Sequence, residues 1–370
     1  MVKQIFSSVI YENPLPQLRA RNAAFPGICR LNDGSILAVF QIGEAFESVD
    51  GTSYSSVSRD GGRTWSEPKR LFDKKSEKVP LTDVCKPAVL PDGRVMVFGY
   101  RFFREDPELP IGNPKTGGLL PDEIFYSISS DGGESWSEPI SVDCAWKNSV
   151  EASAPVYALA DGSLASPVTG FPRWDGSLAG RNCGRLIRSY DGGRTWNDDT
   201  VCTAFAGDKI TCFEQRLCQT DDGTIIVISW NENMETGERM NNHITLSRDN
   251  GKTFGEPIDT GIRGQASSLL SLGKNRFLSI HSMRRDTDRP GILFSLAEIR
   301  DGRYVQHEKE LVWTPRTPIA RAEHMAEIFA FLKFGQPGAI KLPDGKILMT
   351  HWYAEDGVYK VVANCYELGF

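Results

Sequence analysis

The chain has 370 residues, with 42 Lys and Arg against 48 Asp and Glu (a formal net charge of −6), and 40% of its residues are hydrophobic. That balance offers no basic field for nucleic acid or an anionic membrane, and no apolar run of about 18 residues is present to span a bilayer as a helix. The 35 glycines, 21 prolines and 10% aromatic residues favour many short strands joined by tight turns. The N-terminal segment MVKQIFSSVIYENP lacks the apolar core of a signal peptide, so the chain as written is expected to be cytoplasmic or already trimmed. Eight cysteines occur without CxxC or Cys/His metal spacing and read as buried free thiols. No metal site and no cofactor are expected, since neither GxGxxG nor GxxxxGK[ST] appears in a suitable context.

In chain order, a first strand over 4–11 is followed by CRLNDGSILAVF, whose Asp-Gly turn at Gly34 joins two apolar strands. The next landmark is SRDGGRTWSEP from Ser58. The pair then recurs: AVLPDGRVMVFG with Gly93 and SSDGGESWSEP from Ser129; YALADGSLASPV with Gly162 and SYDGGRTWNDD from Ser189; CQTDDGTIIVIS with Gly223 and SRDNGKTFGEP from Ser247. A fifth unit, LLSLGKNRFLSIH, carries Asn275 at the turn and a degenerate EIRDGRY, and a sixth, AIKLPDGKILMTH, turns at Gly345. Between units two features stand out. The segment 102–120, rich in Pro and Gly, reads as a long loop able to wall a pocket. The stretch TPIARAEHMAEIFAFLKFG spaces Ile319, Met325, Ile328, Phe329 and Leu332 as a short amphipathic helix before the sixth unit, with Glu323, His324 and Glu327 on it.

Each unit is two strands about a hairpin, then a third strand ending in an S-x-D-x-G-x-T-W turn. One such sheet cannot bury both faces alone, but six arranged radially can. The expected fold is all-β, a single six-bladed β-propeller of four-stranded antiparallel blades over residues 1–370, its last blade closed by the N-terminal strand. Asp60, Asp131, Asp191 and Asp249 are read as caps of their own turns, because one reaction centre has no use for four equivalent copies. Trp65, Trp136, Trp196 and Phe254 plug the space between strands.

With four Asp-box repeats on six in-phase units, the sequence resembles the sialidase superfamily of six-bladed propellers. That resemblance implies that each blade's innermost strand begins at a funnel mouth. The stretches facing a ligand are then 21–24, 83–86, 151–152, 213–214, 265–266 and 335–336. It also places an acid/base carboxylate at Asp50 and a second carboxylate at Glu214. It departs from the family elsewhere. Ala24 and Trp230 stand where two arginines of a carboxylate clamp belong, Arg289 fits the third, and Gln336 replaces the nucleophilic Tyr. A Gln cannot form the covalent intermediate.

The resulting expectation is an exo-acting glycosidase cutting a terminal, acidic sugar. Asp50 acts as acid and Glu214 as base, with Glu151 and Asp83 as substitutes and an inverting water mechanism. Replacement cations for an anionic substrate are Arg21, Lys86, Arg101, Arg173, Arg284 and Arg285. Trp230 and Trp174 offer stacking faces, and Gln336 joins the binding set. A lyase acting on a uronate and a non-catalytic glycan- or protein-binding propeller are the alternatives; no nucleic-acid or membrane partner is expected.

Overall fold

The computed structural model describes residues 1–74, 78–284, 287–316 and 332–369. Six antiparallel sheets follow one another along the chain. Blade 1 runs Asn22–Arg30, Ile36–Gly43, Thr52–Ser58 and Lys69–Arg70 from the axis outward. Blade 2 runs Leu81–Val89, Val95–Phe103, Asp122–Ser129 and Ile140–Val142. Blade 3 has its inner strand broken into Val150–Glu151 and Tyr157–Ala158, both paired with Leu164–Gly170, before Cys183–Ser189 and Asn197–Ala204. Blade 4 comprises Phe213–Gln219, Ile225–Trp230, His243–Ser247 and Ile258–Asp259; blade 5 comprises Ser267–Gly273, Arg276–Met283, Gly291–Arg300 and Arg303–Trp313. Blade 6 takes Phe334–Lys341, Ile347–Glu355 and Val358–Leu368 from the C-terminal end of the chain and Val2–Glu12 from the start. The expected N-terminal closure is therefore present, with Val2 opposite Leu368 and Glu12 opposite Lys360.

Why the strands are apolar on both faces follows from the packing. Hydrophobic cores lie between neighbouring blades, and alternate residues of one strand serve different cores. Ile36, Ala38 and Phe40 face blade 6, whereas Leu37 and Val39 face blade 2. Full burial of an Ile, Leu, Val or Phe side chain among these contributes about 1.5–3 kcal/mol relative to exposure. Trp65, Trp136, Trp196 and Phe254 pack against these inter-blade cores, each on the side of the preceding blade.

The four Ser-x-Asp turns share one geometry. In the first, Asp60 Oδ1 accepts from the amides of Arg63 and Thr64 at 3.0 and 2.9 Å, while Ser58 Oγ accepts from Gly62 at 2.8 Å. These bonds, led by the Thr64 hydroxyl, hold the Asp60 carboxyl down at about 2. In blade 5 the degenerate segment closes as a two-residue hairpin, Asp301 and Gly302 both having positive φ between Arg300 and Arg303. All of these turns lie at the end of the propeller away from the starts of the inner strands. All eight cysteines are free, and burial raises the thiols, Cys29 to about 12. The expected helix up to residue 331, with Glu323, His324 and Glu327, lies outside the described residues, as does Arg285, while Leu332 is buried in the core between blades 6 and 1.

Candidate active site

The inner strands of blades 1, 4 and 6 carry the same irregularity. Each slips register near its start, and each holds a non-glycine residue at positive φ: Phe25 at 56°, Glu214 at 45° and Gln336 at 44°. Such backbone costs on the order of 1–3 kcal/mol per residue and persists only where the surroundings enforce it. All three bulged residues line one cavity of about 460 Å³ at the mouth of the propeller. The stretches expected to face a ligand contribute Asp83, Val84, Glu151, Phe213, Glu214, Gln265 and Gln336 to that cavity; from the inner strand of blade 1 the contribution is Phe25, one residue past the expected stretch.

Glu214 is the centre of the polar network. Its Oε1 accepts from Gln336 Nε2 at 2.6 Å and its Oε2 from Trp230 Nε1 at 2.8 Å. Its own amide donates to Glu151 Oε2 at 3.0 Å, and the other oxygen of Glu151 accepts from the Ser153 amide at 2.8 Å. Burial raises the Glu151 carboxyl above the ordinary carboxylate value against the opposing pull of Arg216. Beneath this layer lie two buried cations. Lys86 Nζ donates to the carbonyls of Phe25 and Pro26 at 2.5 and 3.0 Å and to Gln336 Oε1 at 3.2 Å. Arg216 donates to Ser153 Oγ at 3.0 Å and to the Gln215 carbonyl at 2.7 Å. Desolvation, followed by the charge of Arg216, pushes the Lys86 ammonium well below the usual lysine range.

The remaining expected residues are placed differently. Asp50 is exposed and outside the cavity lining; its Oδ1 accepts from the Glu44 amide at 3.0 Å, which caps the loop between the second and third strands of blade 1. The cavity instead receives Glu47 from that same loop. Glu47 is half-buried, Oε1 accepting from the Gly112 amide at 3.1 Å, and desolvation raises its carboxyl. Asp83 borders the cavity, but its carboxylate ties blade 2 to blade 1, accepting from Ser53 N and Thr52 Oγ1 at 2.8 Å each and pairing with Lys74 at 2.6 Å. Burial alone would raise it, yet Lys74 and these donors hold it below its ordinary value.

Of the binding residues read from the sequence, Trp230 and Gln336 line the cavity; Arg21, Lys86, Arg101 and Arg289 do not. Arg101 lies on the opposite face of its strand from Tyr100 and Phe102, with its Nε on Glu123 Oε1 at 2.7 Å and its guanidinium over the Phe125 ring. Arg289 is exposed, and Arg21 sits near Tyr11 at the join of blades 6 and 1. Arg173 and Trp174 support the wall from behind. Arg173 donates to the carbonyls of Leu178 and Ala179, and the Trp174 carbonyl accepts from Asn113 and Thr116 of the long loop. Arg284 does line the cavity, donating to the Phe334 carbonyl at 2.7 Å.

Sequence reasoning passed over Glu47, Tyr100 and Phe25. The period-two alternation of strand Val95–Phe103 was the available signal for Tyr100, since it sends Arg101 and Tyr100 to opposite faces. For Glu47 the signal was only its membership of the loop that holds Asp50. For Phe25 there was none, because a bulge shifts the phase of its strand.

The fold is that of the six-bladed sialidase propellers. Among solved structures, the chain is similar to an unknown-function protein from Dyadobacter fermentans, at TM-score 0.76 and 20% identity over 99% of both chains. It is also similar to the intramolecular trans-sialidase of Ruminococcus gnavus, at TM-score 0.65 and 13% identity over 99% of this chain and 98% of that one. A third is the Hadza microbial sialidase Hz136, at TM-score 0.64 and 17% identity, where 92% of this chain matches 65% of the other. The sequence matches no protein-family model and no curated protein sequence. At these identities the likeness is one of fold.

Proposed function

We propose that the protein is an exo-acting glycoside hydrolase that cleaves a terminal sugar in the mouth cavity. The observation that carries this reading is the convergence of Glu47, Glu151 and Glu214 on one sugar-sized cavity, with Glu214 fixed between two donors on a strained bulge. Glu47, raised by desolvation, is suited to remain protonated and deliver that proton to the leaving oxygen as the glycosidic C–O bond breaks. Glu214 takes a proton from the water whose oxygen bonds to the anomeric carbon. Glu151 positions Glu214 through the 3.0 Å bond to its amide. By the resemblance to sialidases, Gln336 stands where a Tyr nucleophile is expected, so the reading expects single displacement with inversion at the anomeric carbon. The likeness to sialidase propellers supports the reaction class.

The test is a screen of aryl glycosides, with product stereochemistry read by NMR. Glu47→Gln is expected to lower kcat/KM by about 10²–10⁴-fold and to remove the alkaline decline of the pH profile, because an acid must be protonated to act. Asp50→Asn is expected to stay within a few-fold of the parent, about the effect of losing one loop cap. The reverse pattern would return the acid to Asp50. An unsaturated product absorbing in the near ultraviolet would replace hydrolysis by elimination.

A further inference from the structure

We infer that the sugar this cavity accepts is uncharged and held through its hydroxyls, in contrast to the acidic sugar that the sequence suggested. The inference deepens the glycosidase reading, though the binding groups alone carry it.

Three cations near the site, Lys86, Arg216 and Lys74, stand outside its lining. Lys86 is engaged by two carbonyls and Gln336, Arg216 by Ser153 and the Gln215 carbonyl, and Lys74 by Asp83. The positions that the resemblance gave to a carboxylate clamp are likewise taken. Ala24 is buried in the core between blades 6 and 1, the Trp230 indole donates to Glu214, and Arg289 is exposed outside the cavity. Among the described residues, the charged groups lining the cavity are mostly acidic, Glu47, Asp83, Glu151, Glu214 and Glu232 against Lys115 and Arg284, beside neutral groups and aromatic rings. Arg284, which shares the lining, has its Nη1 on the Phe334 carbonyl.

Two of the neutral groups await a partner. Gln265 is 8% exposed and borders the cavity, and its Oε1 has no hydrogen-bond partner among the described residues. The Tyr100 hydroxyl borders the same cavity and likewise makes no hydrogen bond among the described residues. Burial, reinforced by Glu151 and Glu214, keeps that phenol protonated as a donor. Gln265 Oε1 therefore requires a donor and Tyr100 offers one. A sugar hydroxyl is both donor and acceptor, so a neutral ring satisfies both groups. A sugar carboxylate set against these two groups only accepts, would leave Gln265 Oε1 unpaired, and would meet the acidic lining. The rings of Phe213 and Trp230, 5.2 Å apart, supply an apolar face for the C–H side of a pyranose.

The inference is tested on the full chain with pairs of ligands that differ only in charge. Galactose is set against galacturonate, and glucose against glucuronate, by calorimetry and by Trp fluorescence; the corresponding aryl glycosides, with an aryl sialoside, serve for turnover. Binding of a neutral member about 100-fold tighter than its uronate is expected. Tyr100→Phe should weaken the neutral sugar about 10-fold, about the value of one hydrogen bond to a ligand. Trp230→Arg should improve uronate or sialoside binding relative to the neutral sugar. Tighter binding of the charged member, or binding of neither, overturns the inference. Neutral binding without turnover of any glycoside upholds it while removing the hydrolase reading, so the two failures are distinguishable.

Discussion

Asp122 shows what a buried acid does when the fold gives it half a set of partners. Its Oδ1 accepts from the Val150 amide at 2.8 Å, and its Oδ2 has no partner among the described residues. Desolvation pushes the carboxyl well above the ordinary range. In the unfolded chain the same group ionises near its reference value of about 3.9. Between those two pH values the native state holds a proton that the unfolded state has released, so the stability contributed by this site falls as pH rises. Asp122→Asn keeps the acceptor for Val150 and cannot ionise. Urea denaturation of parent and variant across pH 4–8 is expected to show a shallower decline for the variant and a higher midpoint at neutral pH; identical slopes would mean that Asp122 is ionised in the fold.

At the scale of elements, the cavity is shaped by a loop that reaches across blades. Residues 104–121 leave blade 2 and lie against blade 3, where Asn113 Nδ2 and Thr116 Oγ1 donate to the Trp174 carbonyl at 2.9 and 2.7 Å and Leu119 N donates to the Pro172 carbonyl at 3.0 Å. Gly118 makes that contact possible, because a Cβ there would stand 1.8 Å from the Arg173 carbonyl oxygen. Backbone cannot yield as a flexible side-chain tip can, so Gly118→Ala must lift the loop off blade 3. The Pro114–Gly117 part of the loop lines the cavity, and the expected result is a KM raised by about 10-fold with the melting temperature little changed. Steady-state kinetics beside a thermal melt checks this, and an unaltered KM would separate the loop from the ligand.

The whole molecule depends on one closure. Val2–Glu12 forms the outer strand of blade 6 against Val358–Leu368, and Ile10 sits in the core that joins blade 6 to blade 1. The ring of inter-blade cores makes each blade a neighbour of two others, so an opened ring weakens two interfaces at once. Removing residues 1–12 also exposes the edge of Val358–Leu368 to pairing with other chains. The truncated chain is expected to lose its cooperative melt or to aggregate, as read by calorimetry and size-exclusion chromatography. A monomer with an unchanged melting temperature would show that the closure is dispensable.

The sequence by itself determined the blade count, the turn positions and the closing strand, because these rest on local chemistry repeated in phase. Asp-Gly hairpins, Ser-x-Asp caps such as Ser58 with Asp60, and strands apolar on both faces need no knowledge of distant residues. With the sialidase resemblance added, it also pointed to Glu214, Glu151 and Gln336 by counting back from each turn to the start of an inner strand, and to Trp230 at the close of the strand after Gly223. Tertiary structure alone decided which side chains enter the cavity. The bulges at Phe25, Glu214 and Gln336 shift the strand phase, the alternation along Val95–Phe103 sends Tyr100 inward and Arg101 outward, and the loop of blade 1 presents Glu47 while Asp50 caps a backbone amide. It also decided the fate of the cations. Lys86 looked available in the sequence, yet carbonyls from blade 1 and an amide from blade 6, 250 residues further along the chain, surround its ammonium. Charge in a sequence is a property of one residue, whereas the charge a ligand meets depends on every partner the fold has already brought to that residue.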